Sequence, residues 1–230
     1  MVETYGNPII VALDKLGKGE AIKIIEELGR NVWGFKLGTL LLSEGVVLLD
    51  EIIEKTGSQN LLVDLEFTGT PDFIKDAVSI YARHAGVSHI VVSASSGPEG
   101  IRAAVQTAVM SKILVGSVLD SLSPYDIHFL HGTYLREEIA LRIAYMAQNE
   151  KAYGLYCSAE EVINLSSRPK LKDFPRFVYG VRLEGDSDHG THEKVLTPKE
   201  ALGWGADKLV IGRFITQAKN RLEAVKKIRG

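Results

Sequence analysis

NPIIVALD, residues 7–14, is a short and almost wholly apolar run that ends on an acid, and similar runs recur seven more times along the chain. Each is rich in Val, Ile and Leu, as parallel strands must be when both of their faces are buried. Amphipathic stretches separate the runs; Ile74, Val78 and Tyr81, for example, share one helical face. The eight runs are NPIIVALD (7–14), VWGFKLG (32–38), NLLVDLEF (60–67), HIVVSAS (89–95), KILVGSVL (112–119), YGLYCS (153–158), FVYGVR (177–182) and KLVIGR (208–213).

Eight strands that each precede a helix predict one α/β domain, a single (β/α)8 barrel of the TIM type over residues 1–230. An open, doubly wound sheet is the alternative, but eight evenly spaced units favour closure. Two connections are longer than a barrel needs, at 120–133 and 183–196. Both follow a strand, so both should lie over the C-terminal face, where barrel active sites are found.

Composition excludes several classes of protein. The chain is 45% hydrophobic and 24% charged, a globular balance, and its net charge of −2 gives no reason to expect nucleic acid as a partner. Its one cysteine, Cys157, cannot form a disulfide framework or a thiolate metal cluster. The sequence shows neither a signal peptide nor an apolar run of membrane-spanning length, which predicts a soluble, cytoplasmic protein without a membrane partner.

Ionisable residues occur at the ends of several predicted strands. Asp14 ends the first, Lys36 lies in the second, Asp64 and Glu66 lie in the third, and Arg213 ends the eighth. Because these strand ends meet at one mouth of the barrel, the side chains should converge there. Asp64 and Glu66 are two residues apart, so their side chains should point to the same face of the strand. Burying two carboxylates is costly unless a cation such as Lys36 pairs with them. A purely structural ion pair is the alternative.

The C-terminal stretch GADKLVIGRFIT, residues 205–216, predicts a phosphate site. It reads as strand eight, a turn at Gly212 and Arg213, and a helix that begins near Thr216. Free backbone N–H groups at a helix start bind anions, and an arginine adds a planar donor suited to phosphate. Barrel phosphate sites commonly lie in the loops after strands seven and eight, which is where this segment falls.

Several segments, taken in order, resemble the orotidine 5′-phosphate decarboxylase superfamily from residue 9 to about residue 218. They are VALD, FKLG, VDLEFTGTP, GLYCSAEEV, YGVR, LTPKEAL and GADKLVIGRFIT. The resemblance implies a (β/α)8 barrel that forms a homodimer with its sites at the dimer interface. It also implies a cofactor-free lyase of pyrimidine biosynthesis that converts orotidine monophosphate to UMP and CO2. Relatives use the same barrel, some with Mg²⁺, for decarboxylation or aldol chemistry on sugar phosphates.

The resemblance also implies roles for individual residues. Asp14 and Lys36 match positions that contact the ribose and the reacting end of the substrate. Asp64 matches the first acid of the family motif Asp-x-Lys-x-x-Asp, and Ser123 matches a residue that contacts the base.

Four further positions match substrate and phosphate contacts of the family. They are Arg182, His192, Gly212 and Arg213. His192 stands where the family has a phosphate-holding Gln, although a solvated loop position, or a metal pair with His189, is an alternative interpretation.

Three positions depart from the family motif. Glu66 replaces the motif Lys, Gly69 replaces its second Asp, and Phe73 replaces a Thr that the partner subunit lends to the ribose. In the family that Lys protonates the carbanion left when CO2 departs, and an ionised Glu has no proton to give. Either burial beside Asp64 keeps Glu66 protonated as a general acid, or Asp14, Asp64 and Glu66 hold a divalent cation such as Mg²⁺.

Three functions follow from these patterns. The leading hypothesis is an orotidine 5′-phosphate decarboxylase-like lyase of reduced rate, with Lys36, Asp64 and Glu66 as its catalytic candidates and no required cofactor. The second is a metal-assisted lyase or aldolase that acts on a sugar phosphate. The third is a nucleotide-binding homologue without catalytic activity.

Overall fold

Eight parallel strands pair in chain order in the computed structural model, and the last pairs with the first to close a barrel. The structure describes residues 6–57, 59–183 and 196–229. The strands are β1 (Ile9–Ala12), β2 (Gly34–Leu37), β3 (Leu61–Phe67), β4 (Val87–Ser93), β5 (Lys112–Gly116), β6 (Gly154–Ser158), β7 (Arg176–Tyr179) and β8 (Lys208–Ile211). This topology confirms the predicted barrel and rules out the open sheet.

Helices follow the strands and cover the outside of the barrel. They are α1 (Lys18–Leu28), α2 (Thr39–Glu44), α3 (Val47–Thr56), α4 (Pro71–Ala82), α5 (Gly97–Thr107), α6 (Pro124–His131), α7 (Arg136–Asn149), α8 (Ala159–Ser166), α9 (Pro198–Gly203), α10 (Arg213–Thr216) and α11 (Arg221–Arg229). Helix α4 shows how local sequence sets a boundary: Pro71 occupies its first turn, and the Thr70 hydroxyl accepts the Phe73 N–H. In the described ranges, no helix is long and apolar enough to cross a membrane.

Strand alternation divides the core into two layers. One layer lies between the strands and the helices, and the other fills the barrel interior. The interior layer consists of Ile10, Leu62, Val91, Leu114, Tyr156, Phe177 and Val210. At the N-terminal end of the strands His89 packs among Trp33, Tyr153 and Phe177, and burial lowers the pKa of His89 to about 3. That end is therefore closed by aromatic packing around a neutral His89, with the ammonium groups of Lys112 and Lys208 over the Tyr153 and Trp33 rings.

Two segments differ from the sequence prediction. The connection 120–133 contains helix α6, which Ser123 caps through a reciprocal pair of hydrogen bonds with Asp126. After strand β8 the next helix begins at Arg213, not near Thr216, because the Gly212 carbonyl already accepts the Ile215 and Thr216 N–H groups.

Gly154 gives a test of the barrel packing. A Cβ atom at this first position of β6 would overlap the Pro175 carbonyl, the acceptor for the Leu155 N–H. We expect Gly154→Ala to lower the free energy of unfolding by about 1–3 kcal/mol, the usual cost of overpacking. The control is Gly203→Ala in α9, where a Cβ meets nothing within 4 Å. Urea denaturation that shows equal stability for both variants would contradict this account.

Candidate active site

Lys36 joins the first three strands at the barrel mouth. Its ammonium group lies 2.5 Å from Asp14 Oδ2 and 2.9 Å from Asp64 Oδ2, and its side chain is 11% exposed. Burial acts to lower the pKa of Lys36, but the carboxylates of Asp64 and Asp14 together outweigh it and leave that pKa raised. The predicted convergence of Asp14, Lys36 and Asp64 is therefore confirmed, with Lys36 as a permanent cation.

The loop after β2 fixes Asp14. A Cβ at Gly38 would lie 2.5 Å from Asp14 Oδ1, so glycine leaves the room that this carboxylate needs. The next residue, Thr39, donates its N–H to Asp14 Oδ1 at 3.1 Å. One oxygen of Asp14 thus faces Lys36 while the other is held by the start of α2.

Glu66 occupies a strained position in β3. Its φ of 43° lies in the left-handed region, and the pairing of β3 with β4 shifts register between Val63 and Phe67. Leu65 and Phe67, on either side of Glu66, pack against the core layer between the strands and the helices. The Glu66 carboxyl group lies near Gly116 and lines a cavity of about 630 Å³. A non-glycine residue in this conformation costs about 1–3 kcal/mol and is typical of functional sites.

The charge state of Glu66 is unusual. Burial, followed by the nearby carboxylates of Asp64 and Asp120, raises the pKa of Glu66 to about 7, against the opposing effect of Lys36. Near neutral pH a substantial share of the Glu66 side chains should therefore carry a proton. Of the two hypotheses for this residue, its surroundings favour the neutral carboxylic acid.

Sequence reasoning missed a second group of polar residues beneath the mouth. The Tyr156 hydroxyl lies close to Asp64, and burial together with that carboxylate raises the pKa of Tyr156 well above its usual value. Glu161, which is 1% exposed, accepts hydrogen bonds from the Ser117 hydroxyl and the Ser158 N–H, both at 2.8 Å. The available signal was period-two alternation, which places Tyr156 inward within the apolar run YGLYCS.

The predicted phosphate residues lie around one cavity. Arg182, Gly212 and Arg213 line a space of about 320 Å³ at the ends of β1, β7 and β8, together with Asp14 and Lys15. The buried Nε atom of Arg182 has no hydrogen-bond partner among the described residues. A cationic cavity with an unused buried donor is suited to an anion.

Two predicted site residues are not found in the cavity beside Glu66 or in the cavity of Arg182 and Arg213. Ser123 lines a separate cavity of about 470 Å³, where its hydroxyl donates to Asp126 Oδ2 at 2.6 Å and caps α6. His192 falls outside the described residues.

The Mg²⁺ hypothesis gains no support from the described part of the chain. Within it, no group of three or more His, Cys, Asp or Glu side chains is placed to hold a metal ion. Asp14 and Asp64 instead share the ammonium of Lys36, which would repel a divalent cation.

Two of the departures from the family motif are physically coupled. A Cβ at Gly69 would lie 2.6 Å from Cδ1 of the Phe73 ring and 3.0 Å from its Cγ. The aromatic ring therefore fills the space that a side chain at residue 69 needs.

Comparisons with known proteins agree with this geometry. The model of the family described as orotidine 5′-phosphate decarboxylase / HUMPS matches residues 7–228. An orotidine 5′-phosphate decarboxylase of Marinomonas sp. is 34% identical over 220 residues, which cover 93% of this chain and 92% of that protein. One from Neisseria meningitidis serogroup C is 29% identical, with 96% and 90% covered. The crystal structure of the enzyme from Lactobacillus acidophilus superimposes with a TM-score of 0.76 at 25% identity, with 97% of each chain covered. The chain belongs to the orotidine 5′-phosphate decarboxylase / HUMPS family.

Proposed function

We propose that this protein is a carbon–carbon lyase that decarboxylates orotidine 5′-phosphate, with the Glu66 carboxyl group as the proton donor. Membership of the family implies a decarboxylase that needs no cofactor. The observation that carries the proposal is the pKa of Glu66, raised to about 7 beside the Lys36–Asp64 pair. A donor with a pKa near the working pH is the kind that general acid catalysis requires.

The proposed binding mode uses the two ends of the mouth. Arg182, Gly212 and Arg213 hold the phosphate, whose charge their cationic cavity complements. Asp14 and Lys36 lie between that cavity and Asp64, which supports their assignment to the ribose and the reacting end. His192 and Ser123 remain predicted contacts to the phosphate and the base.

The proposed chemistry consumes one proton, which Glu66 supplies and solvent replaces. When CO2 leaves, the electron pair of the broken C–C bond stays on the ring carbon. The Glu66 carboxyl group gives its proton to that carbon and becomes a carboxylate, which then takes a proton from solvent. The Lys36 ammonium group offsets part of the negative charge that builds on the ring.

The rate should therefore depend on pH in a defined direction. Only protonated Glu66 can donate, so kcat/KM, which reports ionisations of the free enzyme, should rise as the pH falls from about 8.5 through 7 and level off near 6. We expect a kcat well below that of the Marinomonas relative, because an ionised carboxylate in the donor position repels the carbanion. A UV assay of orotidine monophosphate consumption at several pH values measures both.

Glu66→Gln is the matched control, because it keeps the size and polarity of the side chain without an acidic proton. It should lower kcat by about 10²–10⁴-fold and remove this pH dependence. A parent rate that stays flat between pH 6 and 8.5, or an equally active Glu66→Gln variant, would refute Glu66 as the donor.

A second candidate function is nucleotide binding without catalysis. The packing of Phe73 against Gly69 favours it, since that ring occupies space where the family motif carries a carboxylate. Calorimetric binding of UMP by a protein that does not consume orotidine monophosphate would identify this function.

The same packing predicts which substitutions raise the rate. Glu66→Lys with Gly69→Asp restores the motif residues, but the new aspartate would collide with the Phe73 ring. We expect that double variant to gain little and the triple variant with Phe73→Thr to gain at least about tenfold in kcat, part of what a positioned acid supplies. Circular dichroism controls for folding. Equal rates in parent, double and triple variants would contradict the coupling.

We also propose a homodimer whose interface includes α4. Phe73 and Ile80 are 53% and 41% exposed and lie seven residues apart, on one face of that helix. Sedimentation velocity at micromolar concentration should show a dimer, and Phe73→Asp should shift it toward monomer. A monomeric parent would refute the proposal.

A cytoplasmic location and the absence of a nucleic-acid partner stay predictions of the sequence.

A further inference from the structure

Lys15 has an unusual backbone conformation at the edge of the phosphate cavity. It follows Asp14 directly after β1, and its φ of 61° lies in the left-handed region. In an extended strand, neighbouring residues point to opposite sides. The left-handed turn breaks that alternation, and Asp14 and Lys15 both line the cavity that contains Arg182 and Arg213.

No described residue neutralises the charge of Lys15. Its side chain is exposed, and none of those residues forms an ion pair with it. The adjacent Asp14 carboxylate already contacts Lys36 and the Thr39 N–H. Arg182 contributes a buried Nε without a partner to the same cavity. These groups leave an excess of positive charge at one point, together with one buried donor that has no partner among the described residues.

We infer that Lys15 is a third cationic contact for the terminal phosphate, and that it makes this site select phosphomonoester dianions over uncharged nucleosides. The inference rests on the phosphate assignment within the proposed function. A flexible ammonium at the rim adds charge without fixed geometry, whereas Arg182 and Arg213 supply planar donors. The contribution of Lys15 to binding affinity should therefore grow with the negative charge of the ligand and should not depend on its organic portion. The strained conformation at residue 15 is maintained because it turns this amine toward the anion.

Calorimetry with inorganic phosphate, UMP and uridine tests the inference. Lys15→Ala should weaken the binding of phosphate and of UMP by about fivefold or more, the upper range for an exposed ion pair. Uridine affinity should not change. The matched control is Lys23→Ala, an exposed lysine of α1 that is absent from the cavity lining, and it should bind all three ligands as the parent does.

Lys15→Gly distinguishes the effect of losing the ammonium charge from the effect of backbone strain at residue 15. Glycine adopts positive φ without strain, so this variant should melt at a temperature equal to or above that of Lys15→Ala. It should nevertheless lose phosphate affinity to the same extent. A residue that only shapes the turn would give the opposite result, with affinity retained in the glycine variant.

The outcomes distinguish this inference from the proposed function. Weaker phosphate binding by Lys15→Ala in a protein that never consumes orotidine monophosphate supports Lys15 and refutes the decarboxylase. Normal turnover with phosphate affinity within twofold of the parent refutes Lys15 alone. A parent that fails to bind inorganic phosphate or UMP also overturns the inference.

Discussion

The buried ammonium group of Lys36 is the interaction on which the mouth of this barrel depends. The carboxylates of Asp14 and Asp64 lie 2.5 and 2.9 Å from it. These three groups together carry a net charge of −1 when both carboxylates are ionised. Glu66 is the next acid, and Lys36 offsets only part of the effect of burial, Asp64 and Asp120 on its pKa. Ionising it would place a third negative charge in a poorly solvated space, and this cost raises the pKa of Glu66 to about 7. In the proposed mechanism, Glu66 therefore takes over as proton donor from the Lys of the family motif.

The same region concentrates backbone strain. Of the three non-glycine residues with positive φ in the described ranges, Lys15 and Glu66 both line cavities at the mouth. Each conformation costs free energy that packing elsewhere must offset. The aromatic packing around His89 at the opposite end is part of that packed core.

Sequence reasoning succeeded where periodicity and strand geometry decide the outcome. Eight apolar runs gave eight strands, and the rule that parallel strand ends meet at one face brought Lys36 to Asp14 and Asp64. It failed where the pattern carries no such signal. Helix α6 was not predicted, because Tyr125 and Phe129 are 70% and 78% exposed and form no buried stripe. The contact of Phe73 with Gly69 and the left-handed φ of Glu66 depend on tertiary packing, which a single sequence does not encode locally.

The central claim is that Glu66 is partly protonated at neutral pH. Carbon-13 NMR of its side-chain carboxyl group measures that protonation directly. The Glu66 resonance is assigned by its absence from the Glu66→Gln spectrum, and its chemical shift is followed through a pH titration. The account predicts a midpoint near 7, in line with the raised pKa, and a lower midpoint in Asp64→Asn, which removes the carboxylate that raises this pKa most. A midpoint near the ordinary value of about 4.3 would contradict it, because Glu66 would then be ionised at neutral pH and have no proton to donate.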